Sequence, residues 1–193
     1  PKNNNELWLG TRLGGLNLFN TETNTFKTFK NKKNDSQSLS NNDILCLYSD
    51  SKNRLWIGTS LGLNLLEVFN EGEVPKFKNF TVKDGLPNNT IHGIVSDKES
   101  NLWISTNFGV SNFLFNESKF INYTKNEGLQ NNEFADGAFY QNNSTDFVFM
   151  GGIKGFNYFL PSKIEESQVV PDILIDKISG QNQDAPYYQG LVI

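Results

Sequence analysis

The stretch "LWIGTSLGLNLL", Leu55 to Leu66, combines a tryptophan, closely spaced glycines and a run of leucines. It recurs along the 193-residue chain. Copies read "LWLGTRLGGLNLF" from Leu7, "LWISTNFGVSNFLF" from Leu102 and, in a degenerate form, "FVFMGGIKGFNYF" from Phe147. The aromatic markers of the four copies are spaced 48, 47 and 46 residues apart, at Trp8, Trp56, Trp103 and Phe149. A period of about 40 to 50 residues is typical of propellers and related repeat arrays.

Each copy lies inside a longer unit of four short segments. The second unit opens with "NDILCLYSD" and continues through the marker segment and a third segment to the Phe-rich "KFKNF". Short segments rich in β-formers and separated by Gly, Asn, Asp and Ser predict antiparallel strands and hairpins. We predict tight turns at the glycines that lie six residues after each marker: Gly14, Gly62, Gly109 and Gly155. Four antiparallel strands per repeat define a propeller blade.

The units at the two ends of the array are incomplete. The first begins at its marker segment, and the last has no aromatic fourth segment after "GFNYFL", which predicts fourteen strands. The predicted fold is all-β, a partial β-propeller of about four blades. Unpaired sheet edges favour association, so we expect an isolated fragment to self-associate. Residues 1–160 are predicted to form the blades, 161–170 a polar linker, and 171–193 the start of a further domain with the strand-like "PDILIDKISG".

The composition argues against several classes of partner. The formal net charge is −4 and no cluster of Lys and Arg stands out, which argues against nucleic acid and an anionic membrane surface. The single cysteine, Cys46, allows no internal disulfide, and no apolar run approaches the roughly 20 residues that span a bilayer. No pattern indicates a cofactor, and one His with one Cys forms no metal-binding motif.

The copies at Leu7 and Leu55, with the segments "GLPNN" and "GLQNN", resemble the two-component-regulator propeller repeat, whose mark is L-W-I-G-T followed by G-L-N. The copy at Leu102 departs from this pattern at Ser105, where the family prefers Gly. The ending "GGIKGFNYFLPSKI", followed by "VVPDILIDKISG", resembles the last blade of such a propeller and the first strand of an Ig-like domain named for its three tyrosines. Such repeats form the sensor regions of hybrid two-component proteins in glycan-degrading gut bacteria.

This resemblance implies a periplasmic sensor that carries two seven-bladed propellers and belongs to an inner-membrane protein. In such a protein the propellers are followed by the Ig-like domain, a membrane helix, a histidine kinase and regulatory domains. The chain would form the final blades of the propeller nearest the membrane, and 171–193 would open the Ig-like β-sandwich. The implied function is non-enzymatic detection of glycan-derived oligosaccharides, with signalling to polysaccharide-utilisation genes and self-association through the sensor domain. Contact with the membrane would come only through downstream segments. A propeller polysaccharide hydrolase or lyase and a protein-interaction platform remain as alternatives.

Two features of the opening stretch are assigned to the scaffold. A phosphate-binding glycine loop would lead into a helix N-terminus, whereas "GTSLGLN" leads into the strand-like "LLEVF". The markers recur at one position per repeat, which favours packing between blades over stacking on a sugar.

For the hydrolase alternative, Asp84, Glu133 and Asp136 are candidate acids, but no spacing singles out a pair, and His92 is the single imidazole available as a base.

The candidate ligand site lies in the loops before the first strand of each unit. In a propeller, the entry to the innermost strand lines the mouth of the central channel, so these loops should meet at one end. Amides that both donate and accept hydrogen bonds suit hydroxyl-rich ligands such as oligosaccharides. The alternative is that each Asn-Asn pair only turns the chain. The predicted ligand-binding residues are Asn41, Asn42, Asn88, Asn89, His92, Asn131, Asn132, Glu133 and Asp136.

Overall fold

The computed structural model describes residues 5–69, 74–142 and 144–164, and two short strands beyond them. It forms two compact units, Pro1–Lys163 and Ile164–Ile193. The first unit is all-β and contains four antiparallel sheets of three, four, four and three strands, which confirms the predicted partial propeller. In the second unit, Ser179–Gly180 pairs antiparallel with Gln183–Asp184. Most of the predicted strand "PDILIDKISG" lies outside the described residues, so the Ig-like domain stays a prediction.

Each sheet is one blade, and its strands are hydrogen-bonded in chain order. Blade 1 contains β1 (Glu6–Thr11), β2 (Gly15–Asn20) and β3 (Thr25–Phe29). Blade 2 contains β4 (Ile44–Ser49), β5 (Leu55–Thr59), β6 (Gly62–Val68) and β7 (Lys76–Phe80). Blade 3 contains β8 (Ile91–Ser96), β9 (Leu102–Thr106), β10 (Gly109–Leu114) and β11 (Lys119–Tyr123). Blade 4 contains β12 (Phe134–Gln141), β13 (Val148–Gly152) and β14 (Gly155–Phe159).

The first strands of blades 2, 3 and 4 are the inner strands. β8 contacts both β4 and β12, and β12 also contacts β4, whereas blade 1 reaches this centre through β1. Three short 3₁₀ turns complete the described elements: Val82–Asp84, Lys125–Glu127 and Pro161–Lys163. The first two precede the inner strands of blades 3 and 4, so they determine where the Asn-rich loops begin.

Apolar side chains between neighbouring blades form the core. Trp56 of blade 2 is fully buried, and its ring lies 6.0 Å from that of Phe113 in blade 3. Trp103 of blade 3 packs in the same way against Phe159 of blade 4, with ring centroids 4.8 Å apart. The marker tryptophans therefore lie where each blade meets the next. Burying such rings away from water is a main source of the stability of the array.

Each of these two tryptophans also has a polar anchor in the turn before its strand. Trp56 Nε1 donates to Asp50 Oδ2 at 3.0 Å, and Trp103 Nε1 donates to Asp97 Oδ2 at 3.1 Å. Both aspartates lie six residues before the ring that they bind. A buried indole N–H needs an acceptor, whereas the marker of blade 4, Phe149, has no ring N–H and needs none.

The turn glycines follow the prediction in three blades. Gly62, Gly109 and Gly155 begin the third strands of their repeats with positive φ angles of 141°, 94° and 123°. Gly14 also lies in the predicted turn, but it does not begin the next strand. Gly15, with φ of 87°, lies opposite Thr11 and holds the equivalent position, because the β1–β2 turn is one residue longer than the others. Glycine adopts these left-handed conformations without the steric cost that a Cβ brings.

Candidate functional site

The first asparagine of each Asn-Asn pair forms a local turn. Asn41 Oδ1 accepts a hydrogen bond from the backbone N–H of Asp43 at 2.7 Å, and Asn88 Oδ1 accepts one from Thr90 at 2.8 Å. Asn131 Oδ1 lies 2.6 Å from the next backbone nitrogen. A side-chain oxygen bound two residues ahead is an Asx turn, so Asn41 and Asn88 each fix the chain as it enters the inner strand, whereas Asn131 contacts only the adjacent residue.

The second asparagine ties the end of each loop back to its beginning. Asn42 Oδ1 accepts from the Asn31 backbone N–H at 2.7 Å, and Asn89 Oδ1 accepts from Val82 at 2.9 Å. Asn132 makes the corresponding bond at 2.8 Å. In addition, the backbone oxygens of Asn42 and Asn132 accept from the turn glycines of the preceding blades. The pairs therefore do turn the chain, and they also join neighbouring blades.

These bonds occupy the side-chain oxygens and leave the amide N–H groups available. All six asparagines are half-buried. In the part of the chain that the structure describes, none of their Nδ2 atoms has a hydrogen-bond partner. Each loop can therefore donate to a bound acceptor without losing the bonds that shape it.

A polar cluster lies where the inner elements of the four blades meet, and we call it the axial cluster. His92 in β8 bonds through Nδ1 to Asp136 Oδ1 in β12 at 2.5 Å, and its Nε2 lies 2.7 Å from Asn107 Oδ1. Asp136 Oδ2 accepts from Arg12 Nη1 at 2.9 Å. Arg12 Nε lies 2.9 Å from Asp43 Oδ1. Blade 1 supplies Arg12, blade 2 Asp43, blade 3 His92 with Asn107, and blade 4 Asp136.

The axial cluster keeps its central carboxylate ionised. Partial burial raises the pKa of Asp136, and this is the largest single influence on it. The hydrogen bond and charge of His92 and those of Arg12 together outweigh burial, so the pKa lies below its ordinary value of 3.8. Because a carboxylate only accepts hydrogen bonds, His92 Nδ1 carries the proton that joins the two residues.

The geometry of the axial cluster suits binding better than nucleophilic catalysis. In a catalytic Asp–His pair, the second imidazole nitrogen faces a hydroxyl or thiol, whereas His92 Nε2 faces the amide of Asn107. Burial raises the pKa of the nearby Cys46 thiol to about 12, and the charge of Asp136 adds to the effect. The thiol is therefore protonated at neutral pH and unreactive. Among the described residues, no group of three or more His, Cys, Asp or Glu is placed to hold a metal ion.

The three candidate acids of the hydrolase alternative are in different surroundings. Asp136 belongs to the axial cluster. Asp84 caps the Val82–Asp84 turn by accepting from the Thr81 backbone N–H at 2.8 Å. Glu133 is exposed, and its backbone oxygen accepts from Ile153. The structure therefore brings His92 and Asp136 together, and it gives Asp84 a structural role.

Sequence reasoning placed Asp43 in the candidate loop beside Asn41 and Asn42, but it missed Arg12 and Asn107. Arg12 and Asn107 both lie four residues after their marker tryptophans, in the turn between the second and third strands. That turn lies at the same end of the blade as the Asn-rich loop, because adjacent strands are antiparallel. The fourth position after each marker was therefore the signal that could have found them.

The comparisons with known proteins agree with this architecture. A family model described as "Two component regulator propeller" matches residues 38–60 and 85–108. Each match contains an Asn-rich loop, an inner strand and a marker strand. The chain is also 36% identical over 69 residues to histidine kinase P4 of Formosa agariphila, a match that covers 36% of this chain and 5% of the kinase.

Solved structures extend the likeness to most of the chain. The extracellular domain of a hybrid two component system from B. thetaiotaomicron is 27% identical, with a TM-score of 0.74, over 92% of this chain and 23% of that one. PorZ of Porphyromonas gingivalis, a surface component of the type-IX secretion system, is 13% identical with a TM-score of 0.53, over 80% of this chain and 30% of that one, and shares the fold alone. The chain thus spans a small part of the proteins that it resembles.

These findings define a class first: the chain is a β-propeller segment of the kind found in the extracellular parts of bacterial sensors. Within that class, residues 38–60 and 85–108 match the two-component regulator propeller model, and the resemblance to a hybrid two-component sensor inferred from the sequence is confirmed. No helix among the described residues is long and apolar enough to cross a bilayer.

Proposed function

We propose that this chain is a ligand-sensing part of the periplasmic region of a hybrid two-component sensor histidine kinase, and that it detects glycan-derived oligosaccharides. The sensor role is supported by the extracellular domain that it resembles and by its similarity to a histidine kinase. The proposed ligand site is the axial end, formed by the Asn-rich loops and the axial cluster.

The observation that carries the proposal is the set of amide donors at the axial end. The three loops hold their shape through the asparagine oxygens, and their amide N–H groups lack partners in the described part of the chain. Arg12 and Asp136 add a cation and an anion beside them. Sugar hydroxyls accept and donate hydrogen bonds, so they match donors and carboxylates placed side by side.

Signalling requires that the ligand bind two states of the sensor unequally. The axial cluster joins elements of four blades, so a ligand that contacts Arg12 or Asp136 also acts on how the blades meet. In the proposed mechanism, this change alters the packing of two sensor chains and thereby the activity of the kinase that controls polysaccharide-utilisation genes.

An exposed apolar patch at the axial end favours a protein-interaction platform. The axial loops are built from asparagines, but the turns at the same end expose one large apolar side chain per blade: Leu13, Leu61, Phe108 and Ile153. The protein-interaction platform is therefore the second candidate function, and the proposed oligosaccharide site is limited to the asparagine loops and the axial cluster.

The test is calorimetric titration of this chain, and of the longer ectodomain, with a panel of neutral and acidic oligosaccharides. Asn88→Asp and Asn131→Asp keep the oxygens that form the turns and remove the amide donors. Each variant should weaken binding about tenfold, as expected for the loss of one or two hydrogen bonds. Asn24→Asp, in the turn at the other end of blade 1, should leave the affinity unchanged. Absence of binding across the panel would refute the proposed ligand class.

A further inference from the structure

The charged side chains of the axial cluster are paired with one another. Arg12 Nε lies 2.9 Å from Asp43 Oδ1, and Arg12 Nη1 lies 2.9 Å from Asp136 Oδ2. The imidazole of His92 contacts the other oxygen of Asp136. The net charge of these four side chains is zero when both nitrogens of His92 are protonated, and −1 when only one is. In neither state does the axial cluster carry a net positive charge.

The two carboxylates of the axial cluster act in different directions. The Asp136 side chain is 47% exposed, so a ligand at the axial end can reach it. The Asp43 side chain is only 14% exposed, and solvent screens a buried charge less than an exposed one. The charge of Asp136 is also felt inside the molecule. Burial raises the pKa of the Cys46 thiol to about 12, and the charge of Asp136 adds to this effect. Asp136 therefore acts as an anion on its surroundings although Arg12 is bonded to it.

Arg12 is the exposed cation of the axial cluster, but it is already occupied. Its side chain is 63% exposed, and two of its N–H groups are held by Asp43 and Asp136. Arg recognises an anion best through two parallel N–H···O bonds. A carboxylate or sulfate that approaches this guanidinium competes with two acids for it and comes close to both of them.

The loops around the axial cluster do not supply an excess of cations next to it. In the described loops of blades 2 to 4 at this end, each lysine is accompanied by an acid, in the pairs Lys83 with Asp84, Lys125 with Glu127 and Lys154 with Glu133. The lysine-rich stretch 30–33 follows β3, the outermost strand of blade 1, so it begins at the outer edge of the blade. The Asn-rich loops add uncharged amides.

We propose that the site at the axial end selects neutral oligosaccharides over acidic ones such as uronates and sulfated sugars. This inference rests on the proposed function, since it names the class of glycan that the same site binds. Amide N–H groups donate to hydroxyl and carboxylate oxygens alike, so the asparagines do not distinguish the two classes. The charges do, because a negative group beside Asp136 is repelled and finds no unpaired cation. A sugar hydroxyl is not repelled, and it can donate to the exposed carboxylate of Asp136.

The test is calorimetric titration of this chain, and of the longer ectodomain, with matched pairs of oligosaccharides. Each acidic oligouronate is compared with its carboxyl-reduced form, which has the same length and linkages but no charge. We expect the neutral member to bind about tenfold more tightly, as like charges about 5 Å apart can produce at a partly screened site. Raising the salt concentration from about 20 to about 300 mM should strengthen binding of the acidic member and leave that of the neutral member unchanged.

Charge-neutralising variants locate the repulsion. Asp136→Asn should raise the affinity for the acidic member about tenfold. Because Asp136 also joins blades, Glu133→Gln is the second variant; its side chain is exposed, and the change should raise the same affinity about twofold. Glu99→Gln is the matched control, because it removes an equal charge in the turn at the other end of blade 3. It should leave both affinities unchanged.

The outcomes separate this inference from the proposed function. An acidic member that binds more tightly than its neutral form, or that loses affinity as the salt concentration rises, would overturn the inference and leave oligosaccharide binding in place. Equal effects of Glu133→Gln and Glu99→Gln would also overturn it. If no oligosaccharide of either class binds, the proposed function fails and this inference fails with it.

Discussion

At the scale of single residues, Asp50 shows how a turn supports the core. Its side chain is 1% exposed and accepts hydrogen bonds from the Trp56 ring at 3.0 Å and from Arg54 Nε at 2.5 Å. It also accepts the backbone N–H groups of Lys52 and Arg54 at 2.9 Å. One carboxylate therefore fixes the turn, the cation and the buried ring together.

Replacing Asp50 should destabilise the chain strongly. Asp50→Asn keeps the shape, but it removes the charge that balances Arg54 and turns an amide donor towards other donors. We expect the free energy of unfolding, measured with urea, to fall by about 2–4 kcal/mol. Asp146→Asn is the matched control, because it removes only a surface ion pair with Lys98 and should cost less than about 1 kcal/mol. Equal losses in the two variants would contradict this role.

The same carboxylate predicts acid sensitivity. Burial is the largest single influence on the pKa of Asp50 and raises it. The hydrogen bonds from Trp56 and Arg54 and the charge of Arg54 together outweigh burial and hold this pKa below 3.8. Because the pKa is lower in the folded state, the stabilisation is present above about pH 4 and is lost as the pH falls further. Urea unfolding between about pH 7 and pH 3 should show this loss, and Asp50→Asn should show a shallower decline. Parallel declines would contradict the assignment.

At the scale of strands and turns, much of the structure could be predicted from the repeat. The spacing of the markers and the alternation of strands and turns specify local structure, which depends on residues close in sequence. The extra residue in the β1–β2 turn could not be predicted, because both Gly14 and Gly15 satisfy the local pattern. The contact of Arg12 with Asp136 joins residues 124 apart, and it depends on how four blades curve around one axis. No local pattern carries that information.

The glycine two residues after the marker, Gly58 in blade 2, gives a prediction at this scale. A Cβ on Gly58 would press on the Cys46 sulfur and lie 2.8 Å from Ile91 Cγ2 in the next blade. Gly58→Ala should therefore lower the free energy of unfolding by about 1–3 kcal/mol through overpacking. Among the described residues, a Cβ on Gly151, at the same position in blade 4, meets only the Ala138 side chain at 3.0 Å and the Ala138 backbone oxygen at 3.5 Å, so Gly151→Ala should cost less than about 1 kcal/mol. A larger loss for Gly151→Ala than for Gly58→Ala would contradict this role of Gly58.

At the scale of the whole molecule, the array ends in apolar surface on both sides. Blade 4 exposes Tyr140, Phe156 and Tyr158 on one side, and on the opposite side of the array blade 1 exposes Leu7, Leu9 and Phe26. The position of Leu9 is fully buried in the inner blades, at Ile57 and Ile104.

The open sides predict weak association of the chain with itself. Between about 1 and 100 µM, sedimentation velocity should show a weight-average mass that rises with concentration, because exposed apolar faces and unpaired edges associate in this range. The double variant Phe156→Asp with Tyr158→Asp should reduce the rise without lowering the free energy of unfolding, since both rings are exposed. Leu13→Asp, at an exposed turn of blade 1 away from Phe156 and Tyr158, should leave the rise unchanged. A wild-type chain that stays monomeric throughout would show that these faces do not associate alone, and a rise insensitive to the double variant would assign it to another surface.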